Sequence, residues 1–298
     1  MRNLNLALAL LAGLFFLSPP AGAVLVSMDG DEVIDGIAFD DREIISLDSS
    51  PGSAELWLGW DDGFLHEDLD ALTFLPSGNL LLSVSGATVI GGLIVEDGDL
   101  LEVDLEAGTA SVFLPESTLG RLDVDAAHLL PEGHILLSFH RDELINGLPV
   151  RDGDVIDYDM EDDSFSILLS EDVFAVDSDV NGVALLANGN LAVTTDDDTM
   201  IGGVPLEDSE IAEVDLETGV VRIFLSFEPR VGQADVDAIA ILRPACDDGF
   251  DNDGDGWTDY SPEFGVGDPG CVVPAAASES PECQDGIDNQ GDGTVDYD

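Results

Sequence analysis

Asn79-Leu80-Leu81-Leu82-Ser83 (NLLLS) returns along the chain as His134–Ser138 (HILLS) and Asn190–Thr194 (NLAVT), and a related Ala23–Ser27 (AVLVS) precedes all three. The first apolar residues of these copies are Val24, Leu80, Ile135 and Leu191, spaced by 56, 55 and 56 residues. A fixed period of this size marks a repeat architecture, and it makes each acidic residue one member of a fourfold set.

Each repeat holds four strand-like pieces. In the second they are Asp68–Leu75, Asn79–Val84, Asp99–Leu105 and Ala110–Leu114. Pro76-Ser77-Gly78 and Glu106-Ala107-Gly108 supply turns, and a longer loop separates the middle two pieces. Short apolar and β-branched runs between Gly-rich turns read as antiparallel strands. No capped, periodic helix follows residue 23. Four strands repeated four times predict an all-β chain, a four-bladed β-propeller over residues 24–242. The chain enters the repeats at a second strand, Val24–Ser27, and leaves at a first strand, Asp235–Leu242. The last blade is therefore expected to close with strands from both ends, which hides edges that invite aggregation. A β-sandwich, the alternative, has no need of such a period.

Residues 1–23 read as a secretory signal. Arg2 is the basic start, Leu6–Leu17 the apolar centre and Ala21-Gly22-Ala23 a small-residue cleavage site. The apolar run is too short to span a bilayer, and no later stretch is long enough. The chain is expected to be secreted, with no membrane span. It carries 64 acidic and 8 basic residues, all of the latter Arg, for a net charge of −56. Such a surface repels nucleic acid and anionic membranes and attracts divalent cations. It also keeps a protein dissolved in a salty habitat. With 45% apolar residues the chain has the means to build a core.

Two acidic sets follow the repeat. The first opens the first strand of every unit: Asp68-Leu69-Asp70-Ala71, Asp123-Val124-Asp125-Ala126, Asp179-Val180-Asn181-Gly182 and Asp235-Val236-Asp237-Ala238. In a propeller the first strand lines the central channel, where small Ala or Gly suits a crowded axis. Asp68, Asp70, Asp123, Asp125, Asp179, Asn181, Asp235 and Asp237 are thus candidates for an axial ring of oxygen ligands suited to Ca2+ or Mg2+. Equally, Asp at a strand entrance commonly bonds the backbone of the preceding turn. The second set, Asp41/Glu43, Asp97/Asp99, Asp152/Asp154 and Asp208/Glu210, precedes the third strand and reads as turn capping. His134 holds a turn position. His66, His128 and His140 have no counterparts in the other repeats, and none reads as a metal ligand. No Gly-x-Ser-x-Gly, HExxH or phosphate-loop motif is present, so no catalytic residue is assigned.

Residues 243–298 differ in character and hold all three cysteines, Cys246, Cys271 and Cys283. In an oxidising compartment that implies one disulfide and one remaining thiol. Asp251, Asp253, Asp255 and Asp259 occupy loop positions 1, 3, 5 and 9 of a calcium loop, Gly256 sits at the sharp turn, and Trp257 offers its carbonyl. The twelfth position is Pro262 rather than Glu, so a full EF-hand is not expected. This segment resembles the calcium loops of thrombospondin type 3 repeats, and also the Cys-framed acidic modules of secreted bacterial proteins. A second copy from Cys283 offers Asp288, Gln290, Asp292 and Asp296, and stops before a closing cysteine. The resemblance implies calcium binding, and the frame of the first module pairs Cys246 with Cys271. The whole reads as a secreted calcium-binding, non-enzymatic interaction protein whose partner is an extracellular protein or polysaccharide. The alternative is a calcium-dependent hydrolase or lactonase working at the channel mouth.

Overall fold

The computed structural model describes residues 24–47, 53–59, 67–90, 92–105, 107–176, 178–227, 235–241, 246, 257–261, 267–268 and 271. Residues 1–23, read as a signal, lie outside these. Sixteen of the strands form four antiparallel sheets of four, arranged as the blades of a propeller. The innermost strands are Ala71–Phe74, Val124–Leu129, Gly182–Leu185 and Val236–Ile241, and each packs against two others around one axis. Each is followed outward by the strand that holds the repeated apolar phrase, then by two more.

The blade closed by both ends is formed as the repeat phase predicts. Val24–Met28 pairs antiparallel with Val236–Ile241, with Val24 opposite Ile241 and Ser27 opposite Ala238. Ile44–Leu47 and Glu55–Leu58 complete that sheet.

The phrase is apolar without alternation because its strand is buried on both faces. Val24–Met28 and Leu80–Ser83 are buried at every residue. Successive side chains point to opposite faces, so one strand feeds two cores. Val24 and Val26 pack against the fourth blade with Ala192, Ile211 and Phe227. Leu25 packs against the second blade with Leu80, Leu82 and Val84. The other two interfaces are filled in the same way, by Leu81 against Ile135 and Leu137, and by Leu136 against Leu191 and Val193. Cutting Leu81, which is fully buried, to Ala would cost roughly 2–5 kcal/mol.

Glycine at the axis is a matter of space. A Cβ on Gly182 would meet the Thr194 hydroxyl and, at 3.2 Å, Ile239. The other blades place Ala71, Ala126 and Ala238 there. Gly98 and Gly153 fit the tight turns before the third strands for the same reason, since a Cβ would strike the Leu122 and Ser178 carbonyl oxygens.

The longer loop between second and third strands holds a feature that the four-strand reading leaves out. Each blade raises a two-stranded hairpin there: Glu32–Ile34 with Ile37–Phe39, Thr88–Ile90 with Leu93–Val95, Glu143–Ile145 with Leu148–Val150, and Thr199–Ile201 with Val204–Leu206. Asp35-Gly36, Asn146-Gly147 and Gly202-Gly203 turn at φ of 52° and 83°, 49° and 89°, and 57° and 86°, the paired positive values of a type I′ turn. The only helix among the described residues is a 3-10 turn, Glu171–Val173, and none is long and apolar enough to cross a membrane.

Candidate metal centre on the propeller axis

All eight residues of the first acidic set face one cavity of about 410 Å³ at the end of the axis where the innermost strands begin. A third fourfold set lines it too: Asp29, Ser85, His140 and Asp196, two residues beyond Ser27, Ser83, Ser138 and Thr194. The three sets complete the wall, with three residues from each blade. One repeated backbone bond fixes the third set to the first. The Asp29, Ser85, His140 and Asp196 amides donate to the Asp235, Asp68, Asp123 and Asp179 carbonyls, at 3.1, 3.1, 3.3 and 3.3 Å. Side-chain bonds lock some neighbouring blades at the same level, with Ser27 Oγ donating to the Leu69 carbonyl at 3.0 Å and Ser83 Oγ to the Val124 carbonyl at 2.8 Å.

Sequence reasoning missed this third set because its members are chemically unlike one another. The signal was there: positions 29, 85, 140 and 196 repeat the spacing of 56, 55 and 56. His140, which has no His counterpart in other blades, is thereby a wall residue. Its Nδ1 lies 3.5 Å from Asp125 Oδ2 and 3.6 Å from Asp179 Oδ2.

Nine carboxylates line the cavity and no Lys or Arg does. For the eight besides Asp29, burial is the first cause of a raised pKa, and carboxylates of other blades add to it. Asp70, 8% exposed, is pushed up to about 10 by burial and then by Asp237, Asp125 and Asp123. Asp125 rises to about 8 and Asp179 to about 9. Asp68 and Asp235 reach about 7 and Asp123 about 6. Asp237 is raised well above the usual carboxylate range and Asp196 is also raised. The Asp123 Oδ1 and Asp179 Oδ1 atoms are buried without a hydrogen-bond partner. Asp70, Asp123 and Asp125 offer oxygens within 4.8 Å of one another, and so do Asp125, His140 and Asp179 with one nitrogen. Converging, under-satisfied carboxylate oxygens are the donor set of a hard divalent cation.

The second acidic set caps turns, as its sequence suggests. Glu43, Asp99, Asp154 and Glu210 each accept the amide three residues before them, at 3.0, 3.0, 2.9 and 3.2 Å. Asp97 and Asp152 accept the amides of Gly98 and Gly153 at 3.1 and 2.9 Å.

In the tail, Cys246 and Cys271 form a disulfide with a Cα–Cα distance of 5.5 Å. The Tyr260 amide donates to the Cys246 carbonyl and the Asp268 amide to the Asp259 carbonyl, at 3.0 and 2.8 Å. Trp257 is half-exposed and Asp259 has φ of 53°. Asp251, Asp253, Asp255 and the second loop's Asp288, Gln290, Asp292 and Asp296 lie outside the described residues.

No family model matches the chain, and no curated protein does. Among solved structures it is similar to the extracellular domain of a proposed one-component system from B. thetaiotaomicron, at 8% identity and a TM-score of 0.31, covering 68% of this chain and 28% of that one. It is similar to an auxiliary nutrient-binding protein from Bacteroides thetaiotaomicron, at 12% identity and 0.30, covering 72% and 39%. A third is a protein of unknown function from Bacteroides caccae, at 11% identity and 0.31, covering 69% and 73%. The chain thus spans under two fifths of the first two, and likenesses this distant carry no argument about its activity.

Proposed function

We propose that the chain is a secreted, non-enzymatic interaction protein that binds calcium at the axial cavity and in its tail loops. One observation carries the axial part: every blade contributes three residues to one cavity, and together they supply nine carboxylates with no Lys or Arg among them. Charge this dense is costly to bury unless cations offset it. The first 23 residues and the Cys246–Cys271 disulfide support secretion, since such bonds persist in oxidising compartments.

The four hairpins supply a contact surface. Each begins three residues beyond Asp29, Ser85, His140 or Asp196, so all four rise from the face that holds the cavity. They expose Val33, Val89, Leu144 and Met200 at one repeated position, with Ile94 opposite Val89. This rim is aliphatic rather than aromatic, which favours an extracellular protein over a polysaccharide as the partner.

Calorimetric titration of Ca2+ into chelator-treated full-length protein tests the reading. Asp70→Asn/Asp237→Asn should remove one class of binding heat, and Asp251→Asn/Asp253→Asn another. An axial double variant that binds like the parent would overturn the axial site. A second reading rests on His140 beside Asp125 and Asp179: a calcium-dependent hydrolase, with the ion polarising an ester carbonyl and His140 as base. Calcium-dependent turnover of simple esters or lactones, abolished in His140→Gln, is its test.

A further inference from the structure

The axial cavity holds two kinds of donor set. Asp70, Asp123 and Asp125 bring only carboxylate oxygen. Asp125, His140 and Asp179 bring an imidazole nitrogen as well. We propose that this second triad is a separate metal position for a borderline first-row cation such as Zn2+, joined through Asp125 to the calcium position beside it. The proposal rests on the reading that the axis binds cations.

Donor type separates the two positions. Carboxylates suit Ca2+, whereas imidazole favours Zn2+ and its first-row neighbours. The spacing fits the smaller ion. Donors on neighbouring corners of a tetrahedron stand about 3.3–3.4 Å apart when bonds to the ion are about 2.0–2.1 Å. His140 Nδ1 lies 3.5 and 3.6 Å from the Asp125 and Asp179 oxygens. Closing those gaps takes tenths of an ångström.

The unsatisfied groups point the same way. Asp125 and Asp179 bring their oxygens to the same imidazole nitrogen, from two different blades, within 4.8 Å of one another. A divalent ion between them offsets the repulsion of the two carboxylates. Asp179 Oδ1 is buried with no hydrogen-bond partner, as is Asp123 Oδ1 in the adjoining triad. Asp70 is 8% exposed, lines the same cavity and accepts no hydrogen bond from any described residue. One calcium ion balances two of nine carboxylates, so the cavity has charge for a second cation. The position is unique around the ring because the third set carries Asp29, Ser85 and Asp196 elsewhere. It sits where the third blade, giving Asp125 and His140, meets the fourth, giving Asp179. His140 is 62% exposed, so the ion can exchange with solvent and the residue can be replaced without opening a core.

The test uses full-length protein, stripped with chelator and reloaded with Ca2+. Zn2+ is titrated by calorimetry, and Co2+ serves as a visible probe of nitrogen-containing coordination. One equivalent of Zn2+ should bind on top of calcium. His140→Ala should weaken it by more than the roughly 10–100-fold that loss of a merely supporting residue costs, and should abolish the Co2+ bands. The calcium titration of that variant should be unchanged. Asp70→Asn should do the reverse, weakening calcium and sparing zinc. Zinc binding that is indifferent to His140→Ala, or that displaces calcium one for one, overturns the proposal. If calcium gives no axial heat while His140-dependent zinc binding persists, the calcium reading falls and the zinc position stands.

Discussion

Two acidic rings in this propeller use the same residue types at the same period and end in opposite states. At the turns before the third strands, Asp99 and Asp154 are 6% and 1% exposed, yet each accepts two backbone amides. At the axis, Asp70 and Asp125 are each 8% exposed, and no described backbone amide reaches them. Burial is therefore no guide to role. What differs is whether amides stand within reach. A turn folds its own N–H groups back onto the carboxylate. An innermost strand sends its N–H groups sideways into the ladder, so Asp70 and Asp125 face the other axial acids and His140 instead. The first arrangement completes itself; the second leaves buried carboxylate oxygens without a hydrogen-bond partner.

The largest effect that can break this comparison is the pH dependence of stability. In EDTA Asp68, Asp70, Asp123, Asp125, Asp179 and Asp235 hold their protons to higher pH when folded than when unfolded. Below the unfolded value near pH 4 this costs nothing. As pH rises the unfolded state is favoured increasingly, until it passes the folded values, which run from about 6 for Asp123 to about 10 for Asp70. At pH 7 Asp70 alone accounts for destabilisation on the order of 4 kcal/mol. Urea midpoints in EDTA should thus fall from pH 5 to pH 8, and calcium should flatten the slope. Asp70→Asn/Asp237→Asn should flatten it without calcium. A midpoint that climbs with pH in EDTA would erase the distinction between the rings.

The turn ring should behave in the other way. Asp154→Ala strands the Arg151 and Glu171 amides, which the carboxylate now receives at 2.9 and 2.8 Å. Losing a charged acceptor for buried donors costs about 3 kcal/mol. Because backbone amides and the Arg151 guanidinium face this carboxylate, urea unfolding should show the same loss in calcium and in EDTA. A loss confined to calcium-containing buffer would mean that this ring, too, holds metal.

The sequence shows the propeller and its closure plainly, because every blade meets the same burial demands and so repeats the same apolar phrase. Val24 and Leu25 serve two different cores, which is why the phrase shows no alternation. The hairpins were harder to see, since three residues per strand is too little for a periodic signal. Their Asp35-Gly36, Gly91-Gly92, Asn146-Gly147 and Gly202-Gly203 pairs do share the period. The axial acids were legible as candidates, but whether they converged or capped turns depended on amide directions that sequence does not display. The third set was hidden more deeply. Asp29, Ser85, His140 and Asp196 share a place and a backbone bond, not a chemistry.

The smallest expected effect concerns a third acidic region, the tail. The Cys246–Cys271 bond closes an interval of 25 residues there. A loop of this length gains about 3 kcal/mol from such closure on an entropic account. Calcium therefore has little folding left to drive there, and its binding should leave the blades' urea midpoint untouched. It should still be visible locally. Trp257 is 43% exposed and stands at the seventh position of the loop, where its carbonyl would join Asp251, Asp253, Asp255 and Asp259. Its indole environment should change as the loop tightens. Full-length protein titrated with calcium should show a shift in tryptophan emission that Trp257→Phe removes and Asp70→Asn/Asp237→Asn preserves. The shift should develop by millimolar calcium, the weak end for extracellular modules. A signal that follows the axial variant instead would place all calcium sensing on the axis and leave the tail acids as a solvated surface.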